Sequence, residues 1–290
     1  MTSVVVAPPR ASWVERVLRN RKARRGAGPG SSRSSQAPLT LVRRTAALSL
    51  VELQKLRHDH TELLTRTVQP LLWLLVFGQI FARIRAIPTG PVSYLAFLTP
   101  GILAQSALFV AIFFGIQIIW DRDAGILTKV MVTPTPRQAI VAAKAFAAGV
   151  RGLSPVVVLI PVALLLGVDV TANPLKILAA AAAVMLGAGF FACLSMAIAG
   201  LAGTRDRLMG FGQVLTMPLF FASNALYPIE IMPTWLQVVS HVNPLTYLVD
   251  ALRGLLIGTP AHLLLDFAVL LGSTAVGIAV AGALLGRLVR

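Results

Sequence analysis

Acidic residues are scarce in this chain. Its 290 residues hold 11 Asp and Glu against 26 Lys and Arg, and charged residues make up only 13% of the whole. A soluble domain carries about 25%, so a water-soluble enzyme is disfavoured. Cysteine is nearly absent too. The single Cys193 rules out an internal disulfide scaffold, and its apolar surroundings make it a small packed hydrophobe. The histidines His58, His60, His241 and His262 show no metal-ligand spacing. No G-x-x-x-x-G-K-[ST] loop occurs, so the chain has no recognisable nucleotide site of its own. Neither His-Glu-x-x-His nor Gly-x-Ser-x-Gly occurs, which removes the motif-bearing intramembrane and serine hydrolases. Ionisable residues are almost missing from the apolar runs. Arg151 and Asp266 come nearest, and both read as lying toward span ends. An ion-coupled carrier places such groups near mid-membrane, so its energy source is disfavoured as well.

What the chain does contain is apolar surface: 56% hydrophobic residues and a mean hydropathy of +0.78. That surface needs a bilayer as its solvent. Backbone groups in lipid must be satisfied internally, so helices are expected. Hydropathy predicts six spans, at about 63–83, 92–120, 139–166, 174–202, 209–227 and 263–286. Residues 1–38 hold no run long enough for a signal-peptide core and read as a basic, disordered tail. Within it, 12–25 reads equally well as a short helix on an anionic membrane surface. Residues 39–62 have helical periodicity with high charge, as in an amphipathic helix along the interface. The transmembrane domain is expected over 39–290.

The positive charges are sorted along the chain. With both termini on the cytoplasmic side, 22 of the 26 basic residues fall in cytoplasmic segments, leaving only Arg83, Arg85, Lys176 and Arg253 outside. Positive-inside sorting accounts for the net charge of +15, so nucleic acid is not expected as a partner.

Two connections stand out. The first reads WDRDAGILTKVMVTPTPRQAIVAAKA from Trp120. Arg122 and Asp123 precede Gly125, and Ile126, Leu127, Val130 and Met131 surround Lys129 in a short amphipathic run over about 121–133. Such a helix either docks in a partner's groove or packs on its own bundle. The second lies over about 228–260, where Pro228, Pro233 and Pro244 interrupt two semi-polar stretches. Two short interfacial or re-entrant helices fit there. Pro228, Pro233, Asn243 and Pro244 shape backbone, and Tyr227, Trp235 and Tyr247 suit an interfacial aromatic belt or a gate. Phenylalanines such as Phe113, Phe114, Phe190 and Phe221 suit either an amphiphile path or lipid- and core-facing positions.

The stretches PGILAQSALFVAIFFGIQIIWDRDAGILTKVMVTPTPRQAIVAAK (100–144) and LFFASNALYPIEIMPTWLQVVSHVNPLTYLVDALRGL (219–255) resemble the membrane subunits of type-2 ABC exporters, in particular the daunorubicin-resistance-permease-like group. With span order, the likeness covers roughly 40–288. The more specific motif runs from Ser223 through Pro228, Pro233, Trp235, Asn243, Pro244 and Tyr247 to Arg253. The resemblance implies an all-α fold: six transmembrane helices, an N-terminal amphipathic connecting helix, a coupling helix after the second span, and two short external re-entrant helices before the last. It implies a permease subunit that is not itself an enzyme and binds no cofactor, with ATP and Mg held by two separate ABC ATPase subunits. It also implies a second permease copy or a sister permease, and a location in the bacterial plasma membrane. One departure is the pair Thr128–Lys129, where many relatives have an acidic residue before the basic one. The few polar groups in the spans favour an amphiphilic or hydrophobic cargo (drug, lipid or glycolipid). A polysaccharide-exporting permease of the same family and a non-transport membrane scaffold are the alternatives.

Overall fold

The computed structural model describes residues 45–46, 49–50, 67–84, 87–132, 136–202 and 205–287. The basic tail expected at 1–38 and most of 39–62, where an interfacial helix was expected, lie outside them. All the regular structure among the described residues is helical, with no strand.

Helix α1 is Thr67–Arg83, with a π-helical stretch at Trp73–Phe77. Helix α2 is Tyr94–Asp123, and the short α3 is Ile126–Val132. Helices α4 (Arg137–Gly152) and α5 (Ser154–Leu165) follow one another almost directly. Then come α6 (Pro174–Ala202), α7 (Arg205–Phe221), α8 (Thr234–Val242), α9 (Pro244–Leu256) and α10 (Leu263–Leu284).

Four stretches are long and apolar enough to cross a membrane: α2, the combined α4–α5 stretch Arg137–Leu165, α6 and α10. They match the second, third, fourth and sixth expected spans. The first and fifth correspond to shorter apolar helices, Thr67–Arg83 and Gly210–Phe221. At 1.5 Å per residue the first reaches only about 25 Å and the second about 18 Å, short of a ~30 Å hydrocarbon core.

Helix α2 forms the centre, with 83% of its most apolar window buried, against 11% for α10. Lipid is as apolar as leucine, so close backbone approach and hydrogen bonds must hold such helices together. The sequence supplies small residues where they meet. Gly115 of α2 faces Ser195 and the Ala192 carbonyl of α6, and Ser195 Oγ donates to the Ile112 carbonyl at 2.8 Å. Gly149 of α4 lies against the Met185 backbone. Other hydroxyls are satisfied within their own helix: Thr99 donates to the Leu95 carbonyl and Ser106 to that of Ile102. Cys193 is buried and free, facing Gly277 of α10, as expected of a packed hydrophobe.

The third expected span is broken at Leu153. Pro155 supplies no N–H, and Ser154 Oγ donates to the Arg151 carbonyl at 2.8 Å. Arg151 does not lie toward a span end. It is midway along Arg137–Leu165, buried, with its guanidinium 3.9 Å from the Phe114 ring centre.

Candidate functional site

The chain gathers its polar side chains at the two ends of the bundle. At one end α2 stops at Asp123. Gly125 takes φ +69°, a left-handed conformation that costs other residues about 1–2 kcal/mol. The reversal launches α3, whose first bond runs from the Lys129 N–H to the Gly125 carbonyl at 3.2 Å. Leu127 is 2% exposed and packs into the core. Val130 is half-buried beside it, while Ile126, 44% exposed, and Lys129 face outward. One side of this amphipathic run packs on its own bundle, as one of the two readings had it, and the other side is open. The side chain of Met131 lies outside the described residues.

Salt links hold the base of this reversal. Arg122 Nε donates to Asp123 Oδ1 at 3.0 Å. Deeper, Lys144 Nζ of α4 donates to Asp121 Oδ2 at 2.6 Å, with both side chains largely buried. Lys144 also lies 5.6 Å from the Phe114 ring centre, the ring that Arg151 covers. The Asp121–Lys144 pair was not visible as a pair in the sequence, because the partners are 23 residues apart on different helices.

At the opposite end, α7 runs into a turn at 222–227. Ser223 Oγ donates to the Phe220 carbonyl at 2.7 Å and accepts from the Ala225 N–H at 3.3 Å. Asn243 joins α8 to α9. Its Oδ1 accepts from the Leu245 N–H at 3.0 Å, capping α9, while its Nδ2 donates to the Leu219 carbonyl at 2.6 Å and the Ala222 carbonyl at 3.3 Å. Pro244 follows at the first helical position, where a missing N–H costs nothing. Pro228 precedes the 3-10 turn Ile229–Ile231, and Pro233 precedes α8. Tyr227 donates to the Phe221 carbonyl at 2.6 Å and Tyr247 to the His241 carbonyl at 2.7 Å. Trp235 stands apart from this network, 68% exposed on α8.

Arg253 is the centre of that end. It is buried on α9, and its guanidinium lies 3.6 Å from the Phe97 ring centre. Nη2 donates to the Asn224 carbonyl at 2.5 Å and the Ala225 carbonyl at 3.4 Å, and Nε to the Phe97 carbonyl at 3.3 Å. One side chain thus ties the turn after α7 to the start of α2. Gly101 permits the approach, since a Cβ there would strike the Ala225 backbone. Tyr94 adds a bond to the Leu226 carbonyl at 3.3 Å.

Burial pushes the Arg253 pKa down to about 10, against the opposing pull of Asp250, Glu230 and Tyr94, so it stays cationic at neutral pH. Asp250, one turn earlier, has its carboxyl pushed up by burial and pulled back by Arg253 and the Asn224 amide. Sequence reading missed Asn224, Glu230 and Asp250. For Asp250 the signal was present, because residues three apart share a helix face. Phe97 and Tyr94 gave none, since they arrive from about 150 residues away. The phenylalanines do not share one path: Phe114, Phe191 and Phe220 are buried, whereas Phe113, Phe211 and Phe221 are exposed.

Residues 43–257 match the family described as ABC-2 type transporter. The chain is 32% identical over 201 residues to the putative transport permease ycf38 of Cyanophora paradoxa, which covers 69% of each chain. It is 25% identical over 203 residues to the daunorubicin resistance ABC transporter permease protein DrrB1 of Streptomyces coeruleorubidus, covering 70% of this chain and 71% of that one. Nodulation protein J of Rhizobium leguminosarum bv. viciae is 30% identical over 200 residues, covering 68% and 76%.

Proposed function

This chain belongs to the ABC-2 type transporter family, and from that premise we propose that it is the membrane-spanning permease subunit of an ATP-driven exporter. Two copies, or one copy and a sister permease, pair with two separate ATPase subunits that hold ATP and Mg. The chain crosses a bacterial plasma membrane six times with both termini in the cytoplasm, α1 and α7 supplying the two shorter spans. Helices α8 and α9 dip into the outer leaflet from the far side. Residues 1–38 are an accessory tail.

The observation that carries this reading is the two-sided α3. Leu127 anchors it, Ile126 and Lys129 are presented, and Asp121–Lys144 ties its base to α4. A push on α3 is then delivered to α2, the most buried helix. The apolar, outward-facing groove along α1, with Val68, Leu72, Val76 and Phe77 among its lining, supports pairing with a second permease. The cargo is amphiphilic or hydrophobic, a reading supported by spans with few polar groups and by the drug-resistance permease among the relatives.

The test is reconstitution with the ATPase encoded beside this chain. Ile126→Glu and Lys129→Glu are expected to weaken ATPase binding at least tenfold while leaving the bundle folded. A permease that moves lipophilic substrates along a proton gradient without ATP, or binds the ATPase equally well with both substitutions, overturns the reading.

A further inference from the structure

Helices α4 and α5 follow one another but are unequally held. Of the 16 residues of α4, 11 are buried, against three of the 12 in α5. The Lys144–Asp121 pair at 2.6 Å and the Arg151 guanidinium over the Phe114 ring pin α4 to α2. Close packing pins it to α6. A Cβ on Gly149 would lie 2.8 Å from the Met185 carbonyl oxygen, and one on Gly152 2.9 Å from the Ala188 Cβ. On α5, Leu159 and Ala163 are buried, while Val157 is 72% and Leu165 87% exposed. Thin burial of this kind marks the segments of a fold that move at least cost.

A joint is built between the two helices. An unbroken helix would bond the N–H of residue 155 to the Arg151 carbonyl. Pro155 has no N–H, and its ring crowds that carbonyl. The Ser154 hydroxyl takes the carbonyl instead, at 2.8 Å, which is how a freed backbone group is tolerated at membrane depth. The Leu153 N–H turns back to the Val150 carbonyl at 3.2 Å, tightening the last turn of α4. Proline alone does not make this joint, since Pro161 lies inside α5 without interrupting it. The break coincides with the place where tight packing ends. At its other end α5 stops at Gly167, with φ +82°. Beyond that, the Thr171 N–H is fastened to the Leu256 carbonyl of α9 at 2.8 Å. Helix α5 is thus a thinly buried rod with a joint at each end and a fastened segment beyond each joint.

We propose that α5 is a strap that swings about residues 152–155 while α4 stays clamped on α2 and α6. A hinge of this kind concentrates the change of φ and ψ in a few residues at the ends of elements. Swinging outward lifts Leu159 and Ala163 from their packing and opens the seam behind α5 to lipid, in the half of the bundle away from α3. The use of that seam to release an amphiphilic cargo rests on the export reading. The motion itself rests on the joint and on the unequal packing either side of it.

Spin labels on the full chain in phosphatidylcholine/phosphatidylglycerol nanodiscs test the motion by electron–electron distance measurement. Phe146→Cys with Leu165→Cys spans the joint, and Phe146→Cys with Leu178→Cys spans the clamped α4–α6 contact. All three positions are exposed, and Cys193 is buried. The pair across the joint is expected to give a distance distribution at least twice as broad as the clamped pair. The double substitution Ser154→Ala, Pro155→Ala returns an N–H to the Arg151 carbonyl. It is expected to narrow the first distribution to the width of the second, with thermal unfolding showing that the protein remains folded. Equal widths in the unsubstituted background, or a width that the double substitution leaves unchanged, overturn the hinge. With the neighbouring ATPase bound, the double variant is expected to hydrolyse ATP but to export a lipophilic substrate at least fivefold more slowly. Export at the full rate overturns the role of the strap in transport. A chain that binds no ATPase sinks the export reading instead, and the distance distributions still decide the hinge.

Discussion

Arg253 shows how much one side chain contributes in this molecule. It was one of only four basic residues that the charge sorting left on the outer side, and its role there is structural. Its three carbonyl acceptors belong to two separate parts of the chain. Each charge-assisted bond of this kind contributes about 1.5–3 kcal/mol. Arg253→Met is therefore expected to lower stability by at least ~3 kcal/mol, and Arg253→Lys by less, because lysine keeps the charge but not the planar fork. Thermal unfolding in detergent ranks the three proteins. Asp250 gives a pH signature. Its folded pKa lies above the ordinary value, chiefly through burial, so the folded state holds the proton more tightly than the unfolded chain. The associated stability is present below the unfolded value of about 3.9 and is lost as pH rises through the raised one. Relative to Asp250→Asn, the wild type should thus be most favoured near pH ~4 and lose ground toward pH ~7. Melting temperatures of the two proteins across that range would show it, and a constant difference would contradict it.

At the scale of elements, the end of α2 and the start of α4 behave as one unit through Asp121 and Lys144. Removing one partner of a buried pair leaves a stranded charge and costs roughly 3–5 kcal/mol, whereas replacing both by apolar residues is often neutral. Asp121→Leu and Lys144→Met should each be strongly destabilising, and the double variant should recover much of the loss. A thermodynamic cycle on unfolding of the reconstituted protein measures that coupling. The positions of α8 and α9 were readable from the prolines and from Asn243 before Pro244, because caps and breakers act locally. The break between α4 and α5 was less readable. Pro155 lies within an apolar run that hydropathy treats as continuous, yet the helix interrupts just before it.

At the scale of the whole molecule, the single buried cysteine makes topology measurable without first building a cysteine-free protein. Cys193 should react with no aqueous maleimide. A membrane-impermeant maleimide is expected to label Trp235→Cys in intact cells, and Ile126→Cys only after permeabilisation. Labelling of both from the same side would refute the arrangement of α3 and α8 at opposite faces.

Much of this protein is written locally. Apolar length sets four crossing stretches, Gly125 sets the reversal before α3, and Pro and Asn set the α8–α9 corner. These outcomes depend on lipid solvation and on φ/ψ preferences, which act over a few residues and are legible in order along the chain. The candidate sites are different. Arg253 meets Phe97 from 156 positions away, Asn224 meets Asp250, and Lys144 finds Asp121 only after the helices have packed. Arg151 shows the same limit, for its neighbours in sequence suggested an interface, while packing against Phe114 set it midway along the span. Burying a polar group in a bilayer is tolerable only with a partner, and partners are chosen by helix packing. The sequence by itself determined that the chain is helical and apolar enough to need a bilayer as solvent; the tertiary structure alone decided which polar residues meet.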